Sequence, residues 1–131
     1  MVKQKDTKHL HLSSEIYEQE VVVKYCLLHR IPIVHIPNEG KRNVAYAVML
    51  KRIGLQKGFP DLFITRASRG FHGLFIEMKY GKGKPTKEQN EWLELLALEG
   101  YACAICYDAD EAIKIIKKYH NGGENESRKT I

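Results

Sequence analysis

The sequence predicts a single α/β domain in which helices cover a mixed β-sheet. Its 131 residues, 44% of them apolar, suffice for one hydrophobic core and are too few to suggest two. Short runs rich in β-branched and aromatic residues alternate with stretches of helical periodicity, in the order α, β, α, β, β, α, β, α. We expect one domain over residues 1–131, with its core at about 14–119 and flexible ends at 1–12 and 121–131.

The amino-terminal part begins with a predicted helix over about residues 15–29. Ser13 and Ser14 can cap it, because a serine hydroxyl accepts a hydrogen bond from the first free amides of a helix. The run Ile31 to Ile36 is rich in β-branched residues and predicts a strand. Residues 38–40, with the sequence NEG, predict a turn.

The middle of the chain predicts a helix followed by a β-hairpin. The helix covers about residues 41–53 and ends at Gly54. Residues 61–65 and 73–79 have the composition of strands, and the polar connection at 66–72 joins them.

The carboxyl-terminal part predicts a helix, a strand and a last helix. Thr86 and Gln89 have the spacing of a capping box at the start of the first of these helices. Residues 101–107 predict the strand, and either Asp108 or Asp110 can cap the last helix.

The three cysteines predict core thiols. Cys103 and Cys106 have a spacing that occurs in zinc and redox sites, but residues three apart in a strand point to opposite faces of the sheet. We therefore expect neither a metal site nor a disulfide from them. The chain has no apolar stretch of membrane-spanning length and no secretory signal, so we expect a soluble, cytoplasmic protein.

The net charge of +5 is concentrated in one segment of the chain. Residues 41–87 carry eleven basic side chains and only two acidic ones, whereas both flanking segments are balanced or acidic. A polyanion such as nucleic acid would bind there. Charge alone is equally compatible with a solvated surface that binds nothing.

The two acidic residues in this basic segment are Asp61 and Glu77. If the hairpin is symmetric about residue 69, Asp61 pairs with Glu77 and Phe63 with Phe75. Directly opposed carboxylates repel each other, and a hard cation such as Mg²⁺ between them would remove the repulsion. Lys79 shares a strand face with Glu77, so the pattern suits metal-assisted phosphodiester hydrolysis.

The alternative for this pattern is a surface ion pair between Glu77 and Lys79, with Asp61 capping a turn after Pro60. Of the six histidines, only His72 is expected near the site.

Further motifs accompany these residues in order along the chain. They are Glu15 with Gln19, PNEGKR at 37–42, Gly54-Leu55, GFPD at 58–61, GLFIEMK at 73–79, Gln89 with Trp92, and Gly100. Together they resemble a VRR-NUC nuclease, a virus-type replication-repair nuclease with a restriction-endonuclease-like, PD-(D/E)XK core. The resemblance extends over nearly all of residues 14–119.

The resemblance implies a set of site residues. Asp61, Glu77 and the Met78 carbonyl would bind one or two Mg²⁺ or Mn²⁺ ions, and Lys79 would position the attacking water. Glu15 would reach the metal from the first helix, although Glu18 lies only one turn further on. Gln89 would orient the site or act only in its capping box. We expect DNA contacts from Asn38, Lys41, Arg42, Lys57, Lys82 and Lys84.

The resemblance also implies an activity and an assembly. Stand-alone members resemble phage homodimers that act on branched DNA, so we expect a structure-specific endonuclease of the Holliday-junction-resolvase kind. The same resemblance implies that it acts in the cytoplasm of a bacterium or of a phage-infected cell. The alternative is a DNA-binding or adaptor module that keeps the nuclease fold without catalysis.

Overall fold

The computed structural model describes residues 4–37 and 43–130, with side chains at 14–37 and 43–121. Eight elements follow one another in the predicted order. Their bounds are α1 Gln4–Leu28, β1 Ile33–His35, α2 Val44–Arg52, β2 Leu62–Ile64, β3 Leu74–Met78, α3 Lys87–Leu98, β4 Ala102–Cys106 and α4 Ala109–Thr130.

The sheet is mixed, as predicted. Its strand order is β1-β2-β3-β4; the first three strands are antiparallel, and β4 is parallel to β3. In the β2–β3 hairpin Phe63 pairs with Phe75, which confirms the predicted register, and Leu62 pairs with Ile76. The next facing positions beyond this pair are therefore Asp61 and Glu77.

Both faces of the central strands are covered, so every residue of β3 is buried. Alternate side chains point to opposite faces of a strand, which separates two packing regions. One region lies against α1 and α4; its buried members include Val22, Cys26, Leu62, Ile64, Leu74, Ile76, Met78 and Ile116. The other is aromatic and lies against α3; it consists of Phe59, Phe63, Phe75, Trp92 and Tyr101.

Both terminal helices are longer than predicted. α1 begins at Gln4, so Ser13 and Ser14 lie inside it and the expectation that they cap it was wrong. No Gly or Pro occurs between residues 4 and 30, and an interior serine lowers helix stability by only a few tenths of a kcal/mol. α4 continues to Thr130 through two glycines, which weaken a helix but, unlike proline, leave its hydrogen bonds intact.

Side-chain caps fix the starts of the other helices. Asn43 accepts a hydrogen bond from the Tyr46 amide at 2.7 Å, so α2 begins at Val44, three residues later than predicted. The choice between two caps for α4 falls on Asp108, whose carboxylate accepts from the Glu111 amide at 2.8 Å.

The cysteines are free thiols, as expected. Burial raises the pKa of Cys26 to about 11 and that of Cys106 to about 12, so both are protonated at neutral pH. Cys103 is only half-buried, and its Sγ lies 3.5 Å from the Leu93 carbonyl oxygen as a donor.

α2 differs from the other helices because none of its described side chains is buried. Val44 is 80% exposed and Val48 is 51% exposed, and Ile53, directly after the helix, is 74% exposed. This apolar surface is not part of the core. No helix within the described ranges is long and apolar enough to cross a membrane.

Candidate active site

Asp61 and Glu77 lie at one end of the β2–β3 hairpin and are almost excluded from water. Asp61 is 8% exposed and Glu77 only 1%. The Met78 amide donates a hydrogen bond of 2.9 Å to Asp61 Oδ2, which joins the two strands through this carboxylate. Because isolated buried charges are strongly unfavourable, both carboxylates require donors or a cation nearby.

Gln89 donates a hydrogen bond to Glu77. Its Nε2 lies 2.9 Å from Glu77 Oε1, while its own Oε1 accepts from the Thr86 amide at 2.8 Å. The Gln89 amide in turn donates to Thr86 Oγ1, which confirms the capping box. The two roles considered from the sequence are thus not alternatives, since one end of the amide caps α3 and the other end holds Glu77.

Gly58 allows the chain before Asp61 to lie against the start of α3. Its φ is +88°, and a Cβ there would be 2.7 Å from the Glu88 carbonyl carbon and 2.8 Å from the Gln89 nitrogen. Any side chain would push α3 away from this loop. The glycine therefore maintains the position from which Gln89 reaches Glu77.

Phe59 packs the same loop against the sheet and α3. Its ring makes edge-to-face contacts with Phe75 on β3 and Trp92 on α3, with centroids 5.4 and 5.1 Å apart. Such pairs stabilise by about 1 kcal/mol beyond the area they bury. Pro60 follows and is fully buried, so the backbone that enters Asp61 is rigidly placed.

A pocket of about 710 Å³ opens between α1 and this end of the sheet. It brings together four of the residues expected in the site, namely Glu15, Asp61, Met78 and Lys79. Glu77 and Gln89 are not among its lining residues and lie buried beside it. The candidate site therefore has an open part, formed by α1 and the strand ends, and a buried support formed by α3.

The packing of α1 against α4 distinguishes Glu15 from Glu18. Glu18 Oε2 accepts a hydrogen bond from the Ala109 amide at 2.7 Å, at the amino terminus of α4. That carboxylate is occupied as a helix cap, and the helix dipole favours a negative charge there. Glu15 lies one turn earlier and lines the pocket.

His35, Gln19 and Tyr80 also line the pocket and were not among the expected site residues. His35 Nδ1 lies 3.2 Å from the Asp61 carbonyl oxygen, which also accepts from the Ile36 amide at 2.7 Å. A carbonyl only accepts, so Nδ1 carries the proton in this contact. The i,i+4 spacing of Gln19 from Glu15 was a usable signal. For His35 there was none, because the pairing of β1 with β2 is long-range.

The expected DNA-contacting residues fall into three groups. Lys82 and Lys84 are exposed on the loop that borders the pocket at Gly83. Lys57 lies close enough to the start of α3 to affect Glu88. The pKa of Glu88 is lowered mainly by a hydrogen bond from its own backbone and, to a smaller extent, by the positive charge of Lys57. The others, Asn38, Lys41 and Arg42, lie outside the described residues.

The expectation that His72 lies near the site was wrong. His72 precedes β3, whereas Glu77 is near the strand's other end. Its amide donates to the Gly100 carbonyl at 2.9 Å, and its ring contacts Tyr101 with centroids 5.7 Å apart. A loop adjacent in sequence to a strand can lie at either end of it, and here it lies at the end away from Asp61.

The donor set of the site suits a hard divalent cation. Mg²⁺ is typically held by one or two carboxylates, with water and substrate oxygens completing its coordination. Asp61 and Glu77 occupy facing positions, and Glu15 lines the same pocket as Asp61. Within the described ranges, no three His, Cys, Asp or Glu side chains form a cluster that could by themselves hold a metal. Asp61 and Glu77 could supply part of the coordination of such a cation.

Comparisons with known proteins give the same family as the sequence motifs. The VRR-NUC domain family model matches residues 1–110, a range that contains all of the site residues above. A solved structure described as a VRR_NUC domain protein is 32% identical and superposes with a TM-score of 0.71; the match covers 84% of this chain and 90% of that one. The comparison with curated proteins found no match.

Gly58→Ala should destabilise the protein more than Gly54→Ala. Both glycines have positive φ, but nothing lies within 4 Å of a Cβ at Gly54. The backbone strain is therefore shared, and the difference measures the contact with α3. We expect an additional loss of about 1–3 kcal/mol in the free energy of unfolding for Gly58→Ala, measured by urea denaturation. Equal losses would contradict this contact.

Gln89→Met and Thr86→Val should separate the two roles of Gln89. Each variant removes part of the capping box, which should lower the free energy of unfolding by about 1 kcal/mol. Only Gln89→Met also removes the donor to Glu77, at a further cost of about 1–3 kcal/mol. We expect this variant alone to reduce catalytic activity. Thermal melts beside cleavage assays test this, and equal activity of both variants would argue against a role in the site.

Proposed function

This chain belongs to the VRR-NUC family of nuclease domains, and from that premise we propose that it is a Mg²⁺- or Mn²⁺-dependent endonuclease that hydrolyses phosphodiester bonds in DNA. The proposal rests on two buried carboxylates, Asp61 and Glu77, which occupy facing positions of adjacent strands. Lys79 lines the pocket into which this end of the hairpin opens.

The metal would be held by Asp61, Glu77 and the Met78 carbonyl, with Glu15 approaching from α1. When bound, the ion would acidify a water molecule and stabilise negative charge on the phosphate. Gln89 keeps the Glu77 carboxylate oriented through its 2.9 Å hydrogen bond. The backbone amide of Lys79 donates to the Cys106 carbonyl at 2.8 Å, so the start of its side chain is fixed while the ammonium group is available to position the attacking water.

DNA is the substrate that fits the charge around this pocket. Lys82 and Lys84 are exposed beside it, and Lys79 lines it. Lysines bind phosphate as point charges and carry little base specificity. Within the described ranges we identify no element suited to reading base edges, which favours recognition of DNA structure, and we propose a branched substrate such as a four-way junction.

A homodimer would match the symmetry of a four-way junction, because two active sites related by a two-fold axis face two symmetric strands. We propose that α2 supplies the dimer contact. Val44, Val48 and Ile53 expose apolar surface that the described core does not use. Lys51 and Arg52 end the same helix and would lie at the polar rim of such an interface.

Asp61→Asn should abolish metal-dependent cleavage and leave the fold intact. An asparagine oxygen can still accept from the Met78 amide, so this hydrogen bond is kept while the negative charge is lost. The matched control is Asp108→Asn, which likewise keeps its capping hydrogen bond and should cut normally. The assay measures incision of labelled DNA with Mg²⁺, Mn²⁺ or EDTA. If Asp61→Asn cuts as fast as the parent, the assigned site is wrong.

A panel of four-way junction, flap, single-stranded and duplex DNA tests the substrate. We expect paired, symmetric incisions on the junction that require metal and are lost in Lys79→Ala. Incision of flaps or single strands alone would retain the nuclease and exclude the junction. Binding without any product under all metals would favour the non-catalytic adaptor.

Val48→Lys should convert the proposed dimer to a monomer. A lysine at a buried contact position would place an unpaired charge in the interface, whereas Lys51→Gln on the same helix is the control that should remain dimeric. Analytical ultracentrifugation measures the assembly, and the junction assay should change from paired to single incisions. A parent protein that sediments as a monomer at all concentrations would rule out this interface.

A further inference from the structure

Three segments without any acidic residue meet at the end of the molecule away from the candidate site. They are residues 21–37, 62–76 and 112–121. Together they carry seven basic residues. Lys24 lines the pocket of the candidate site, and the other six are Arg30, Arg66, Arg69, Lys114, Lys117 and Lys118. The three segments are distant in sequence, so their charges combine only in the folded protein.

The connection between β2 and β3 holds this end together. Arg66 Nη2 donates to the Arg30 carbonyl at 2.9 Å, which ties the connection to the end of α1. The Tyr119 hydroxyl donates to the Arg66 carbonyl at 2.7 Å, and Arg69 Nη1 donates to the Lys118 carbonyl at 3.4 Å, which tie it to α4. The guanidinium groups are thus arranged on a fixed framework.

The hydrogen bonds that position Arg66 do not neutralise its charge. Its two acceptors are a carbonyl oxygen and His120 Nδ1 at 3.3 Å. Arginine only donates, so this ring nitrogen is the acceptor in that contact. Arg30, Lys117 and Lys118 are exposed, and the Lys117 ammonium lies 5.6 Å from the centre of the Tyr25 ring.

We propose that Arg30, Arg66, Arg69, Lys117 and Lys118 form a second DNA contact, which holds the phosphate backbone of a duplex arm away from the point of incision. Like charges held together in this way repel one another, and a polyanion relieves that repulsion while releasing counterions. The inference rests on the proposal that the substrate is DNA.

The hairpin sets the distance between the two contacts. Arg66 follows Asp61 by five residues along β2 and its end, which corresponds to about 17 Å at the rise of a β-strand. Duplex DNA rises about 3.4 Å per base pair, so the second contact should fall about five base pairs from the incised phosphate. This spacing distinguishes the second contact from the lysines that border the pocket.

The test compares two triple variants in EDTA, where binding is measured without cleavage. One, Arg30→Asn with Lys117→Gln and Lys118→Gln, removes three charges. Asparagine is chosen because Arg30 has a φ of +56°, which Asn tolerates. The matched control, Arg30→Lys with Lys117→Arg and Lys118→Arg, keeps the charges. Arg66 is left unchanged in both because it ties α1 to the hairpin.

The charge-removing variant should bind junction DNA about tenfold more weakly, and the slope of log K against log salt should fall by about 2 to 3. The control should match the parent. A single neutral methylphosphonate about five base pairs from the incised phosphate should weaken parent binding and leave the charge-removing variant unaffected. Circular dichroism should show both variants folded.

An unchanged affinity and salt slope in the charge-removing variant would overturn the second contact. The same conclusion follows if methylphosphonates affect the parent and this variant alike. A cleavage assay distinguishes the failure of the second contact from the failure of the proposed endonuclease activity. A parent that cuts but does not depend on these charges refutes only the second contact, whereas a parent that binds through them without cutting refutes only the proposed activity.

Discussion

The structure around the candidate site depends on one electrostatic constraint, which is that two carboxylates lie on facing strand positions with almost no access to water. Asp61 and Glu77 are 8% and 1% exposed, and a buried charge without donors or a counter-ion would be strongly unfavourable. The Met78 amide and the Gln89 side chain supply protein donors to them. In the proposed function, a divalent cation and the phosphate oxygens that it coordinates would complete this arrangement.

Gln89 is held in place by α3 and by the loop before Asp61, so these two elements support the candidate site. Gln89 reaches Glu77 because the capping box fixes it at the first turn of α3. The helix is close enough because Gly58 has no side chain, and the aromatic contacts of Phe59 keep the loop in that position. Three elements therefore pack together as one rigid group, namely β3, α3 and the loop that precedes Asp61. α1 contributes from the opposite side and brings Glu15 to the open part of the pocket.

α1 also connects the two ends of the molecule. Glu15 lines the pocket, and Arg30 follows the other end of the helix, about 20 Å away at the rise of an α-helix. Lys24 lines the same pocket between them. In the proposed complex the helix would set the direction in which a DNA arm leaves the site. The catalytic end and the basic end are positioned by the same core, so the distance between them is a property of the fold.

The sequence by itself determined the features that depend on neighbours along the chain. These are the order of the elements, the hairpin register that opposes Asp61 and Glu77, and the capping box of α3, because turn geometry and first-turn hydrogen bonds are local. Tertiary structure decided which glutamate lines the pocket, since only the docking of α4 assigns Glu18 to a cap. It also decided that Gln89 serves both a cap and Glu77, and that three acid-free segments share one surface. Each of these features depends on how elements distant in sequence pack against one another. Their packing is driven by the burial of apolar faces, and no local sequence pattern specifies which faces meet.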